Sequence, residues 1–425
     1  MHNRVVITGL GVVAPNGIGI AAFREAIKNG ISGIRYEEQL AALQFSCQIG
    51  GRPPLEEAML HPYFDELELK QLKASGIIYG VMAGMEAWAD AGLLLLQEAS
   101  PDWDSGTVFG TGTSGVDKFR EAVYKLDELQ VRRLGSTAVT QTMASGISAF
   151  LGGKLGLGNQ VTTNSSACTT GAESLLMAYE RVKYGHAKRM LAGSTSDSGP
   201  YIWGGFDAMK VSTFRHNDHP EAGSRPMSAS ASGIVPGSGA GALLLESLES
   251  ALERKATIYA EVLGGNINSG GQRNGGSMTA PNSEAVQRCI ADALMQAGVK
   301  AEDIDLVNGH LTATGKDAEE VKNWSAALGR SGADFPYLNA LKSQIGHCLG
   351  ASGSIELVAA ALQLKEGFIF PNINCEDLHP DILEYVDPER IPRQLLYKDL
   401  HLVAKASFGF GDVNACVILK KYPQS

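Results

Sequence analysis

The sequence predicts an α/β protein whose two halves pack as one body. Short apolar, β-prone runs alternate along the chain with segments of helical spacing, the pattern of layered sheets and helices. The 425 residues, 44% hydrophobic and 19% charged, supply a large core, and 50 glycines furnish turns. No proline- or serine-rich linker separates the halves, which divide as 1–255 and 256–425 with the seam near 250–257.

The chain opens with a strand at 5–8, then glycine turns and a helix at 21–28. An apolar helix follows at 77–91, a strand end at 107–110 and a charged amphipathic helix at 118–133. The β-prone run 160–164 precedes a helix over 172–180, and strands follow at 189–193 and 239–246. A helix leads on to a strand at 258–263. The second half reads as helix 283–298, strand 306–308, helix 317–328, helix 355–365 and a last strand at 415–420. No repeat is visible residue by residue, so any duplication is structural only.

A net charge of −10 argues against general affinity for nucleic acid or anionic membranes. The N-terminal run 4–11 is too short and glycine-broken for a signal peptide, and no stretch approaches the ~20 apolar residues that span a bilayer. A cytoplasmic location is the default. The six cysteines are widely spaced with no C-x-x-C pair, so neither a disulfide framework nor a zinc site is indicated.

Cys168, in Ser165-Ser166-Ala167-Cys168-Thr169-Thr170-Gly171, falls between a strand and a helix start. Free N–H groups and the helix dipole there would stabilise a thiolate and lower a pKa of about 8.5; the other reading is a small buried hydrophobe. Of nine histidines, His310 follows a predicted strand and His347 lies in Lys342-Ser343-Gln344-Ile345-Gly346-His347; strand-end loops are where α/β proteins place reactive groups. The other seven, His2, His61, His186, His216, His219, His379 and His401, read as surface. Gly110–Gly115 satisfies G-x-G-x-x-G, but the acids about 20 residues on lie in a charged helix, against a dinucleotide site. No G-x-S-x-G elbow or Walker loop occurs.

The ordered set of motifs is more specific than any part. An S-A-C-T-x-G elbow is followed by H-x-T-x-T, by K-x-x-x-G-H-x-x-G-A-x-G from Lys342 to Gly353, and by Ser407-Phe408-Gly409-Phe410-Gly411. This resembles the elongating type II β-ketoacyl-acyl carrier protein synthases, from Arg4 to about Lys420. The resemblance implies a thiolase-like fold, two similar α/β halves in a five-layered αβαβα body. It implies that Cys168 accepts an acyl chain from a carrier-protein thioester and that the N–H groups of Cys168 and Phe410 form an oxyanion hole. His310 and His347 would hold the malonyl thioester oxygen through decarboxylation, and the product is a β-ketoacyl chain two carbons longer. Lys342 and a buried glutamate, Glu320 or its neighbour Glu319, would support them. Thr279, Thr312 and Thr314 match positions that bind the phosphopantetheine arm, which arrives on the substrate; no metal or other cofactor is implied.

The chain also departs from the family pattern. Asp412 and Val413 stand where a glycine and a threonine are common, in the loop of Phe408, Gly409 and Gly411 that gates the cysteine. The stretch 227–232 is stripped of charge, and of the basic residues that dock an acidic carrier protein Arg225, Lys70 and Lys73 remain. Thr113 falls where a bulky aliphatic often closes the acyl pocket. A homodimer is expected, with a heterodimer beside a chain-length-factor-like subunit as the alternative. The competing functions are such a non-catalytic subunit itself, which typically lacks the nucleophile, and a thiolase, for which Cys348 would be a second cysteine.

Overall fold

The computed structural model describes residues 2–95 and 100–423. Its first strand, β1 (Val5–Ala14), runs straight through the glycines that the sequence assigns to turns. The reason is tertiary: helix α1 (Ser75–Asp90) crosses so closely that a Cβ on Gly9 or Gly11 would sit about 2.0 or 1.9 Å from the carbonyl oxygens of Ala87 and Ala83. Glycine is used there for close approach rather than for a bend.

The first half continues with β2 (Ser105–Thr111), β3 (Val161–Thr162), α2 (Thr170–Lys183), β4 (Arg189–Ser196) and β5 (Gly239–Ser247). The second half holds β6 (Ala260–Ser269), α3 (Ser283–Ala297), β7 (Leu306–Asn308), α4 (Asp317–Leu328), β8 (Tyr337–Asn339), α5 (Ser352–Glu366), β9 (Leu402–Gly409) and β10 (Val413–Lys420). Strand order outward from the join is β1-β5-β4-β2-β3 in one half and β6-β10-β9-β7-β8 in the other. Each half has the same succession, and in each the two outer pairings are parallel and the two inner ones antiparallel. The duplication is thus structural, as the absence of a residue-level repeat implied. The halves meet through three residue pairs between β1 and β6, from Val5–Val262 to Ile7–Ala260.

Side-chain alternation builds the layers. On β5, Leu243 and Leu245 enter a central core with α2 and α5, while Ala242 and Leu244 face a separate core with α1. On β10, Ala415, Val417 and Leu419 face the central core, and Cys416 and Ile418 face a third core with α3 and α4. Helices, sheet, central helices, sheet and helices therefore stack in the expected αβαβα order. Because α5 lies between two sheets it is covered on all sides, and its residues from Ser352 to Leu364 are buried.

One helix expected over 118–133 instead ends at Asp127, and a short 3₁₀ turn, Val131–Arg133, follows. Leu129 between them holds a left-handed φ of 60°, which interrupts the helix. Helices Gly146–Leu155 and Pro200–Ala208, beyond the expected elements, also form. No described helix is long and apolar enough to cross a membrane.

Candidate active site

The two central helices begin against one another. A Cβ on Gly171 would lie 2.3 Å from the backbone nitrogen of Ser354, so only glycine allows the first turns of α2 and α5 to approach this closely. Each helix is preceded by a 3₁₀ turn, Ala167–Thr169 before α2 and Leu349–Ala351 before α5. Cys168 lies in the first turn and His347 just before the second. His310 follows β7 in the other half. Ala167, Leu311, Ala313, Leu349 and Asp412, all flanking these groups, hold positive φ angles of 50°, 24°, 63°, 51° and 62°. Such conformations are kept only where the surroundings over-determine them.

One ligand-type atom from each of Cys168, His310 and His347 lies within 4.8 Å of the others. The imidazoles meet edge to face with centroids 5.4 Å apart, and His310 packs against Phe408 at 5.9 Å. The Leu349 N–H donates to His347 Nδ1 at 3.0 Å. That fixes the tautomer: the proton of a neutral His347 is on Nε2. The trio has metal-like spacing, but a His347 with Nδ1 accepting and Nε2 protonated offers a proton rather than a lone pair. His347 therefore offers the cluster a hydrogen-bond donor.

Burial and then the charge of Lys342 hold both histidines well below the usual range, so both are neutral at pH 7. Burial also pushes the Cys168 thiol up, to about 11. The lowering expected from the helix N-terminus is thus overturned. Lys342 and the N–H groups of Phe410 and of Cys168 itself do favour the thiolate, but desolvation outweighs them. The resting nucleophile is a thiol with two backbone donors beside its sulfur.

Lys342 Nζ lies 2.5 Å from Glu356 Oε1, and Lys405 Nζ lies 2.9 Å from Glu356 Oε2. All three are buried. Of the three, only Lys342 falls within a sequence motif. Lys405 in the middle of a β-like run, and Glu356 inside the strongly apolar run 355–364, were the available signals, since an unpaired charge does not survive in such places. Burial holds the Lys405 ammonium below the ordinary lysine range although Glu356 opposes this.

Both glutamates line the cavity at Cys168, but Glu320, rather than Glu319, holds the backbone at His310. Its carboxylate accepts the N–H groups of His310 at 2.6 Å and Leu311 at 2.7 Å, and burial raises its pKa to about 7. Glu319 instead pairs with Lys316 at 2.7 Å and accepts the Ser283 hydroxyl at 2.9 Å.

Two cavities meet at Cys168, Phe206 and Phe410. One, of about 340 Å³, is lined by His310, His347, Glu320, Phe408, Gly409 and the hydroxyl-bearing Thr279, Thr312 and Thr314. The other, of about 280 Å³, is walled by Thr113, Tyr201, Ile202 and Leu349. Gly112, Thr113 and Val116 also line a third space of about 320 Å³ that reaches Phe119. Phe206, on the helix Pro200–Ala208, was not foreseen. Its ring stands 6.1 Å from that of Phe410, where the two cavities that share Cys168 meet. Lys342, Gly411 and Asp412 are absent from the cavity walls; the lysine and the aspartate are buried behind them.

The chain matches the family described as "Beta-ketoacyl synthase, N-terminal domain" over residues 2–251, and its C-terminal counterpart over 259–376. It belongs to the β-ketoacyl synthase family. It is 33% identical to the chloroplastic 3-oxoacyl-[acyl-carrier-protein] synthase I of Arabidopsis thaliana, over 99% of this chain and 87% of that one. It is 31% identical to 3-oxoacyl-[acyl-carrier-protein] synthase 2 of Vibrio harveyi, over 98% of each. Among solved structures, a β-ketoacyl synthase from Burkholderia phymatum superposes with a TM-score of 0.89 at 28% identity, covering 99% of this chain and all of that one. The ketosynthase of a type II polyketide system, solved with its acyl-carrier protein and bound to the hexaketide, superposes at 0.87 and 26% identity over all of both chains.

Within this β-ketoacyl synthase, three expectations change. Arg225, read as a carrier-docking cation, is already paired with Glu376 and Asp377, each at 3.0 Å. The uncharged stretch 227–232 wraps the Asp377 carboxylate, which accepts the Ser228 hydroxyl and the Ser230 N–H. Burial opposes ionisation of Asp377, but these hydrogen bonds and Arg225 hold it far below the usual carboxylate range. Cys348, the candidate second cysteine, is fully buried, donates to the Ile345 carbonyl and lines neither cavity that holds Cys168. His216 and His379, read as surface, are half-buried, and His379 caps the short helix Pro380–Leu383 through Nδ1.

Proposed function

We propose that this synthase joins a malonyl unit to an acyl chain held on Cys168, both delivered by acyl carrier protein, in fatty acid or polyketide elongation. The observation that carries this is the convergence of one thiol and two neutral imidazoles, one with a fixed donor proton, on a cavity that continues past the sulfur. In the first step the Cys168 sulfur attacks the thioester carbonyl of the incoming acyl carrier. Negative charge on that oxygen is met by the N–H groups of Cys168 and Phe410. As the tetrahedral adduct collapses, the carrier thiol leaves with the proton lost from Cys168.

A malonyl thioester then occupies the cavity of Thr279, Thr312 and Thr314. The His347 Nε2–H and an N–H of His310 donate to its thioester oxygen, so that loss of carbon dioxide leaves an enolate stabilised by two hydrogen bonds. Neutral imidazoles suit this role because they donate without handing over a proton. The enolate carbon attacks the acyl carbonyl, a carbon–carbon bond forms, the carbon–sulfur bond breaks, and the departing Cys168 thiolate takes up one proton from solvent. The phosphopantetheine arm belongs to the substrate, and this chemistry calls for no further cofactor.

The enzyme works as a dimer of identical chains in the cytoplasm. Phe119 and Tyr124 on the helix Val116–Asp127, with Val131 and Val139 nearby, are more than half exposed, an apolar face that a second subunit would cover. A native-mass measurement on the chain expressed alone distinguishes a self-dimer from a monomer awaiting a chain-length-factor-like subunit. The function is tested by incubating the protein with malonyl carrier protein and a ladder of acyl carrier proteins. A product two carbons longer, lost on Cys168→Ala, is expected; elongation by the Cys168→Ala protein would overturn the assignment.

A further inference from the structure

The Asp412 carboxylate is fully buried, and among the described residues backbone N–H groups rather than an ion pair meet it. Its Oδ1 accepts the Asn282 N–H at 2.7 Å and its Oδ2 accepts the Gln272 N–H at 2.9 Å. Its own carbonyl accepts the Gly270 N–H at 2.9 Å, and the Gly411 N–H donates to the Met278 carbonyl at 2.8 Å. Four hydrogen bonds thus tie the 409–412 loop to the 270–282 loop. The contact is close enough to constrain composition. A Cβ on Gly270 or Gly276 would come within 2.3 or 2.4 Å of Asp412 Oδ2.

Each tethered loop carries one side of the site. Gly409 packs on the cysteine turn, where a Cβ would lie 3.1 Å from the Cys168 nitrogen, and Phe410 aims its N–H at the Cys168 sulfur. The opposite loop carries Thr279 and ends at Asn282, whose side chain caps α3 by accepting the N–H groups of Glu284 and Ala285. A chain of contacts therefore runs from the α3 N-terminus through Asn282 and Asp412 to the donor beside the nucleophile.

We propose that Asp412 is a positioning residue for the condensation, a latch that makes the Phe410 oxyanion donor and the Thr279 side of the substrate cavity move as one unit. This rests on the condensing function proposed above. The latch fixes the donor before substrate arrives, so that little reorganisation remains when charge develops.

Asp412→Asn is the direct test, because asparagine also tolerates the left-handed φ of 62° and nearly matches the shape. Its amide can accept from one of the two N–H groups and sets an NH₂ against the other. Gly276→Ala attacks the same contact from the opposite loop. Four readouts are compared in the full-length protein: acyl transfer to Cys168 from a short acyl thioester of N-acetylcysteamine, alkylation of Cys168 by iodoacetamide, amide hydrogen exchange and the urea unfolding midpoint. For both variants acyl transfer falls by about tenfold, short of the ~10²–10³ lost when an oxyanion donor is removed. Alkylation, which uses no oxyanion hole, becomes faster as the loops part. The amides of Gly270, Gln272, Asn282 and Gly411 lose protection together while α1 keeps its own. Acylation and alkylation that stay unchanged, or that fall together with the unfolding midpoint, would overturn the latch. If the unsubstituted protein accepts no acyl group, the condensing function fails, and alkylation and exchange still decide whether the loops are coupled.

Discussion

Replacing Glu356 by glutamine is expected to destabilise the protein by about 3–5 kcal/mol, the range found when one partner of a buried ion pair is removed. The structure supports that range through burial and geometry. Glu356 is inaccessible, and it meets Lys342 at 2.5 Å and Lys405 at 2.9 Å, side chains that are 2% and 0% exposed. Glutamine retains one acceptor for one ammonium but turns an NH₂ toward the other and removes the charge that offsets both. Solvent cannot reach in to compensate. The cost is capped because Lys405 is already held below its ordinary range, so losing its proton offers a partial escape. Urea unfolding at pH 7 measures the change, together with the double variant Glu356→Gln/Lys405→Met, in which one orphaned ammonium is gone. The double variant is expected to recover at least half of the loss. A single variant within about 1 kcal/mol of the unsubstituted protein, or a double variant no better than the single, would refute the view that this cluster is electrostatically coupled.

Three further outcomes follow from the site. His310 and His347 are held below the ordinary histidine pKa, so the unfolded chain binds more protons below pH ~6.5, and their contribution is full above that value and lost as pH falls. Relative to His310→Ala, the unsubstituted protein should lose about 1.4 kcal/mol of stability per pH unit below ~6.5; a pH-independent difference in urea unfolding would contradict the buried neutral state. Thr113→Ile should narrow the passage shared by two of the cavities, so that long acyl donors lose acyl transfer while acetyl transfer persists in the carrier ladder; equal losses for all lengths would show that the chain does not pass Thr113. Cys348→Ala should elongate at near the normal rate, since its sulfur is outside both cavities at Cys168; loss of activity with the unfolding midpoint preserved would revive the second-cysteine chemistry.

The parts of this protein written locally were legible from sequence. The strand Leu306–Asn308 and the helix Asp317–Leu328 coincide with their expected bounds, because turn residues and apolar spacing mark both ends. Features that depend on tertiary approach were not. Gly9 and Gly11 read as turns although they lie inside β1, where the neighbouring helix excludes a side chain. Gly204 and Gly205 hid the helix that delivers Phe206. In the site, the order of motifs pointed to Cys168, His310 and His347. The thiol shift runs opposite to the expected direction because the helix terminus is visible in sequence and the burial that outweighs it is not. Glu356 and Lys405 escaped notice because their pairing spans two elements far apart in the chain. Arg225 was visible as a cation, but Glu376 and Asp377, which neutralise it, lie about 150 residues on.

The central claim, that Cys168 takes up the chain to be elongated, is tested most directly by intact-mass analysis after exposure to acyl carrier proteins of graded length, without malonyl donor. The protein should gain the mass of one acyl group per chain, located on the peptide containing Cys168, and Cys168→Ala should gain none. No mass gain with any donor, or an acyl group mapped to another residue, would contradict it.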